Sequence, residues 1–265
     1  MIVVPLDIVP DEDEADCAAV IVEAAVADRT YRFILDTGAG TTHLVNDEYV
    51  RTLRVHGEKR SAGAIGPIVS ATVVVPELTF GPVHVRDLEC TVSEPTQPGA
   101  RPLLAMDVLR DQQLEFCFDA GYLRFAPDPV SATWHRLTMD AVGHPYMEVA
   151  WPQASAMCVW DSGAGITVVN EQFFRRHPAL FARVGTAVGT DASGATVETT
   201  TWTMDACTIG GHEFPPAKVA VVDLSAANAG LKIPMDMILG YTTLRHADWL
   251  FDFPNKRWTI TRPPG

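Results

Sequence analysis

Residues 33–46 read Phe-Ile-Leu-Asp-Thr-Gly-Ala-Gly-Thr-Thr-His-Leu-Val-Asn, and residues 158–170 read Cys-Val-Trp-Asp-Ser-Gly-Ala-Gly-Ile-Thr-Val-Val-Asn. Each is an apolar, strand-like run entering Asp-Thr/Ser-Gly-Ala-Gly, a turn whose glycines allow tight backbone geometry. Asp161 lies 125 residues after Asp36, so in a chain of 265 residues each copy heads about half of the sequence. Repeats on this scale indicate duplication of a whole folding unit.

Two further landmarks recur in the same order. Leu104-Ala105-Met106-Asp107-Val108-Leu109-Arg110 matches Leu239-Gly240-Tyr241-Thr242-Thr243-Leu244-Arg245. Phe118-Asp119 with Leu123-Arg124-Phe125 matches Phe251-Asp252 with Arg257-Trp258-Thr259-Ile260. Apolar or alternating runs broken by turn residues predict strands over 2–9, 18–26 and 31–35, and again over 135–142, 146–151 and 157–160. Asn46 before Asp47-Glu48 and Asn170 before Glu171-Gln172 are helix-start signals, since the side chain and charges answer free N–H groups. Helices are otherwise few, so the expected class is all-β. The prolines of Pro127-Asp128-Pro129 discourage regular structure and place a joint near residue 130, giving units 1–130 and 131–265.

Composition narrows the function. A net charge of −13 and the lack of a basic block give a nucleic-acid backbone nothing to pair with. Charges or prolines interrupt every apolar run before it reaches bilayer length, and the N-terminus lacks a basic leader, so the expected location is the cytoplasm, away from membranes. Cys17, Cys90, Cys117, Cys158 and Cys207 are odd in number and unpaired in spacing, which predicts buried thiols. Neither the cysteines nor the histidines have metal-ligand spacing, and no metal or other cofactor is expected. The acidic run Asp11–Asp16 lacks the spaced ligands and turn glycine of a calcium loop and is expected to be a solvated hairpin tip. Trp160 and Trp202 are expected to be core residues.

Two aspartates brought together from equivalent loops suit amide hydrolysis. That reaction needs a base to deprotonate water, an acid to polarise the carbonyl, and a proton for the leaving nitrogen. Two carboxyls in contact resist double ionisation and share one proton, so the pair offers an acid and a base together. Gly38 and Gly163 leave backbone N–H groups free for the carboxylates, and Thr37 and Ser162 supply hydroxyls short enough to bond between loops.

Over nearly its whole length the chain resembles the aspartic peptidases of the pepsin and retropepsin type. The resemblance rests on Asp36-Thr37-Gly38, Asp161-Ser162-Gly163 and the later Ile238-Leu239-Gly240. Ala39 and Ala164 are more similar to retropepsins, and fusion of both copies in one chain is more similar to pepsins. It implies two homologous β-barrel lobes with a cleft between them, and a monomeric endopeptidase acting on peptide or protein substrates. Asp36 and Asp161 would be catalytic, and Thr37, Gly38, Ser162 and Gly163 would support them. Ala105 in place of the first element's glycine, Gly40 and Gly165 in place of Ser or Thr, and a tyrosine-free segment 56–75 depart from the pepsin pattern.

Other readings fit less well. Both glycine runs lack the third glycine of a dinucleotide fingerprint, with His43 and Val168 in its place, and no Gly-x-Ser-x-Gly elbow occurs. The competitor from another class is a catalytically silent peptidase fold that binds peptides as an adaptor. A substrate-covering flap is expected at Gly63-Ala64-Ile65-Gly66-Pro67, where Gly63 and Gly66 permit movement and Ile65 offers an apolar contact; the second copy's counterpart is Asp191–Gly194. Replacing Gly63 and Gly66 by bulkier residues is expected to slow peptide turnover while thermal unfolding stays the same; unchanged kinetics would remove this assignment.

Overall fold

The computed structural model describes residues 2–62, 67–95, 101–128, 131–190 and 196–265. The protein is mainly β, with four short α-helices and two 3-10 turns among the described residues. Its strands form three sheets.

The first sheet orders its strands as Asp7–Pro10, Ala18–Val26, Arg29–Leu35, Leu103–Leu104, His43–Val45, Val83–Ser93, Pro67–Phe80 and Val55–Ala62. Pairing of Ala25 with Thr79 and Val26 with Leu78 curls it back on itself. Val20, Val22, Ala24 and Val26 are buried at alternate positions of one strand, which fixes its register through the core. The second sheet repeats the central connections with Pro145–Trp151, Ala154–Trp160, Met237–Leu239, Thr167–Asn170 and Ala217–Val222. In both, the strand leading into Asp-Thr/Ser-Gly runs parallel to the short apolar strand of the later landmark: Leu35 pairs with Leu104, and Trp160 with Leu239.

The third sheet takes three strands from residues 2–125 and three from residues 135–262. Its order is Ile2–Pro5, Tyr122–Phe125, Gln113–Cys117, Asp248–Asp252, Arg257–Arg262 and His135–Arg136. The seam is the antiparallel pair Gln113–Cys117 and Asp248–Asp252, with Leu114 opposite Phe251 and Phe116 opposite Trp249. Phe116 lies 4.7 Å from the Trp160 ring and Phe251 lies 4.8 Å from it, so aromatic residues of the second and third sheets meet in one buried cluster.

Several sequence expectations change here. The first predicted strand divides at buried Leu6, whose N–H bonds to Gly121 O, and its two pieces enter different sheets. The predicted strand 135–142 divides at buried Leu137 into two short strands in different sheets and ends at Met139, because Asp140 Oδ1 accepts the N–H groups of Val142, Gly143 and His144 and bends the chain. Asn170 does cap the helix Glu171–Arg176. Asn46 instead donates to Glu94, and Asp47 caps a 3-10 turn at Val50–Thr52, because the first copy has one more residue between its glycines and its asparagine. The sheet symmetry also moves one landmark by two residues: Gln113–Cys117 is equivalent to Asp248–Asp252, which leaves Phe118 matching Phe253.

The acidic run is a hairpin tip, but not a purely solvated one. Glu14 pairs with Lys218 and Asp16 with Arg245, so the tip reaches into the second half of the chain. All five cysteines are buried and free. Trp160 is fully buried, and Trp202 is partly buried against Phe174. Among the described residues no helix is long and apolar enough to cross a membrane.

Because Phe116 is fully buried at the seam, against Trp160 of the second sheet, Phe116→Ala is expected to destabilise the protein by about 3–5 kcal/mol through lost burial and a residual cavity. Denaturant unfolding of the variant checks this, and a cost below about 1 kcal/mol would mean the seam is not a tightly packed core.

Candidate active site

Each Asp-containing loop is held from below by its own later landmark. The N–H of Asp36 donates to Leu104 O at 2.9 Å, and that of Asp161 to Leu239 O at 3.0 Å. In return, Met106 N donates to Ala39 O and Tyr241 N to Ala164 O. Ala105 and Gly240 share nearly the same backbone, with φ of −109° and −105°. Ala105 in place of glycine therefore changes side-chain space and not chain path. A Cβ at Gly240 would lie 2.6 Å from Ala164 O, so glycine is required there.

Two threonines that the pattern reading passed over complete this support. Thr42 and Thr167 each lie six residues after their aspartate, are fully buried, and receive the N–H of Ala105 and Gly240 respectively. Thr42 donates its hydroxyl to Asp107 at 2.6 Å, whereas Thr167 shares a 2.7 Å hydrogen bond with Thr243. Their equal spacing in both copies was the signal available in the sequence.

Between the loops, Thr37 and Ser162 exchange hydrogen bonds across the molecule. Thr37 Oγ1 donates to Trp160 O at 2.9 Å and accepts the N–H of Ser162 at 3.1 Å. Ser162 Oγ donates to Leu35 O at 2.6 Å and accepts the N–H of Thr37 at 3.3 Å. All four bonds are buried, where an unpaired partner would be costly.

This exchange brings Asp36 and Asp161 side by side. Asp161 Oδ1 accepts N–H groups from Gly163 at 2.8 Å and Gly38 at 3.1 Å. A Cβ at Gly38 would lie 2.8 Å from Asp161 Oδ1, and one at Gly163 would lie 2.8 Å from Asp36 Oδ2, so neither glycine tolerates a side chain. Asp36 Oδ1 is buried with no partner among the described residues. Burial first, and then the neighbouring Asp161 carboxylate, raises the Asp36 carboxyl well above its ordinary range. Burial also raises Asp161, but N–H groups of Gly163 and Gly38 and the charge of His144 oppose the shift. N–H groups of Ala39 and Gly38 oppose the shift on Asp36 as well, so the arrangement is a buried carboxyl pair that resists double ionisation.

The six residues Asp36, Thr37, Gly38, Asp161, Ser162 and Gly163 thus come together in one place. Gly63, Ile65 and Gly66, and the counterpart at 191–194, lie outside the described residues. The strands flanking the first segment pair Ala62 with Pro67.

A family model described as aspartyl protease matches residues 22–108, roughly a third of the chain. The match contains Asp36-Thr37-Gly38 and the Leu104–Asp107 landmark, so this part of the chain is similar to aspartyl proteases. No curated protein matches the chain.

The shifted carboxyl gives stability a definite pH dependence. With its folded pKa raised, Asp36 keeps a proton that the unfolded chain has already lost. Its contribution favours folding below the ordinary carboxylate range and is lost as pH rises through the folded pKa. Asp36→Asn removes this loss and is expected to raise Tm at neutral pH, with the gain disappearing toward about pH 4. Thermal unfolding across that range checks it; a gain independent of pH would assign the effect to something other than titration.

Proposed function

We propose that the protein is an aspartic endopeptidase in which Asp36 and Asp161 activate one water molecule for attack on a peptide bond. The observation that carries this reading is the proton-sharing carboxyl pair bound to opposed Thr/Ser-Gly loops. The similarity of residues 22–108 to aspartyl proteases supports it from the sequence side.

In this mechanism, Asp161 takes a proton from water as the water oxygen attacks the carbonyl carbon, and Asp36 donates its proton to the carbonyl oxygen. The resulting gem-diol collapses as Asp161 returns a proton to the leaving nitrogen and Asp36 recovers one from a hydroxyl. The C–N bond breaks, both products leave neutral with respect to the transferred protons, and the pair returns to its starting state. No covalent intermediate forms.

We read residues 1–130 and 131–265 as two homologous lobes, each supplying one aspartate, with the third sheet joining them. Since both acids lie in one chain, the enzyme works as a monomer on peptide or protein substrates. Segment 63–66 serves as its flap. The five buried free thiols are consistent with a cytoplasmic enzyme.

Asp36→Asn and Asp161→Asn are each expected to lower kcat/KM on a mixed peptide library by about a thousandfold or more, and the double variant is expected to be scarcely worse, because the pair acts as one unit. Near wild-type cleavage by a folded single variant would overturn the mechanism. Peptide binding without cleavage by the wild type would replace it with the adaptor reading.

A further inference from the structure

The two aspartates have different cross-strand surroundings. In the hairpin before Asp36, Ile21 pairs with Ile34, and two further steps along this register bring Ala19 opposite Asp36. In the hairpin before Asp161, Tyr146 pairs with Val159, and the same two steps bring His144 opposite Asp161. At this equivalent position the first hairpin carries a methyl group and the second an imidazole, whose charge acts on Asp161.

His144 is held in place. Its Nδ1 lies 2.7 Å from Asp140 Oδ2, and its side chain is only 16% exposed. Asp140 is itself fixed, because its Oδ1 accepts three backbone N–H groups and its Oδ2 also receives the Tyr146 hydroxyl at 3.4 Å. Burial opposes the charge on Asp140, but His144 and these N–H groups outweigh it and hold the carboxyl below its usual range. The charged or titratable groups facing His144 are thus Asp140 and Tyr146 from its own segment and Asp161 from the neighbouring strand. Asp161 in turn faces His144 and Asp36.

We propose that His144, anchored on Asp140, is a positioning residue that keeps Asp161 as the carboxylate of the pair and leaves the shared proton on Asp36. The inference rests on the aspartic dyad reading above. A positive charge on His144 opposes protonation of Asp161. Asp36, opposite Ala19, has no such neighbour. The turn at 140–144 also touches the first loop, since a Cβ at Gly40 would lie 2.5 Å from Val142 O; this close fit limits movement of the imidazole relative to the dyad.

The test compares wild type with His144→Gln, His144→Arg and Asp140→Asn. Two readouts are used: the pH profile of kcat/KM, and titration of the Asp161 carboxyl followed by ¹³C NMR of labelled aspartate. His144→Gln is expected to lose about three- to tenfold in kcat/KM on the acid limb, with little change on the alkaline limb, and to move the Asp161 titration upward. His144→Arg restores both by restoring the cation, and Asp140→Asn falls between. Thermal unfolding identifies any variant that fails to fold. A uniform loss at all pH values, or an Asp161 titration unmoved in folded His144→Gln, would overturn the inference while leaving the peptidase reading intact. Absence of cleavage by wild type would overturn that reading, and the NMR titration would still decide the role of His144.

Discussion

The geometry of the site depends on two hydroxyls that exchange places. Thr37 bonds beneath the Asp161 loop, and Ser162 bonds beneath the Asp36 loop, so neither loop is complete without the other. Each hydroxyl acts as donor and acceptor at once, a capacity that alanine or valine lacks. Threonine and serine serve equally because only the oxygen is used. From this follow the absence of side chains at Gly38 and Gly163, the contact of the carboxyls and their shared proton. The aromatic cluster around Trp160 supplies a rigid floor, since its carbonyl is one of the acceptors and its ring is packed by both strands of the seam.

The backbone around the two acids is nearly symmetric, but the side chains around them differ. Leu35 precedes one aspartate and Trp160 the other; Asp107 answers Thr42, whereas Thr243 answers Thr167. These substitutions preserve the backbone while changing charge and volume around it. A proton shared between identical surroundings would have no preferred home. Here both acids meet backbone N–H groups, and the charge of His144 acts on Asp161.

The sequence made the all-β class and the repeated Asp loops legible because both depend on short-range pattern: apolar runs, glycine turns and identical triplets. What escaped it depends on partners and backbone geometry that the pattern does not specify. Nothing local marks Leu6 as the point where one run passes between sheets, or shows that Asp140 turns its oxygen onto three following N–H groups. Asn46 looked like Asn170 because a cap is recognised by its neighbours, while the one-residue difference in spacing that redirects it to Glu94 matters only in three dimensions. The acidic tip was read by composition, which is blind to Lys218 and Arg245 more than two hundred residues away. Thr42 and Thr167 were visible as a repeat, but their importance depends on burial.

The third sheet carries a consequence for how such a chain is assembled. Severed near residue 130, neither piece would own a finished sheet, because each would keep three strands and expose the innermost as a raw edge. The seam is antiparallel and centred on Glu115 opposite Leu250, so the missing neighbour of Gln113–Cys117 is a strand of similar length running the other way. A second copy of the same piece, turned about a two-fold axis, presents such a strand. The seam therefore has the antiparallel geometry that a two-fold axis through its centre would produce.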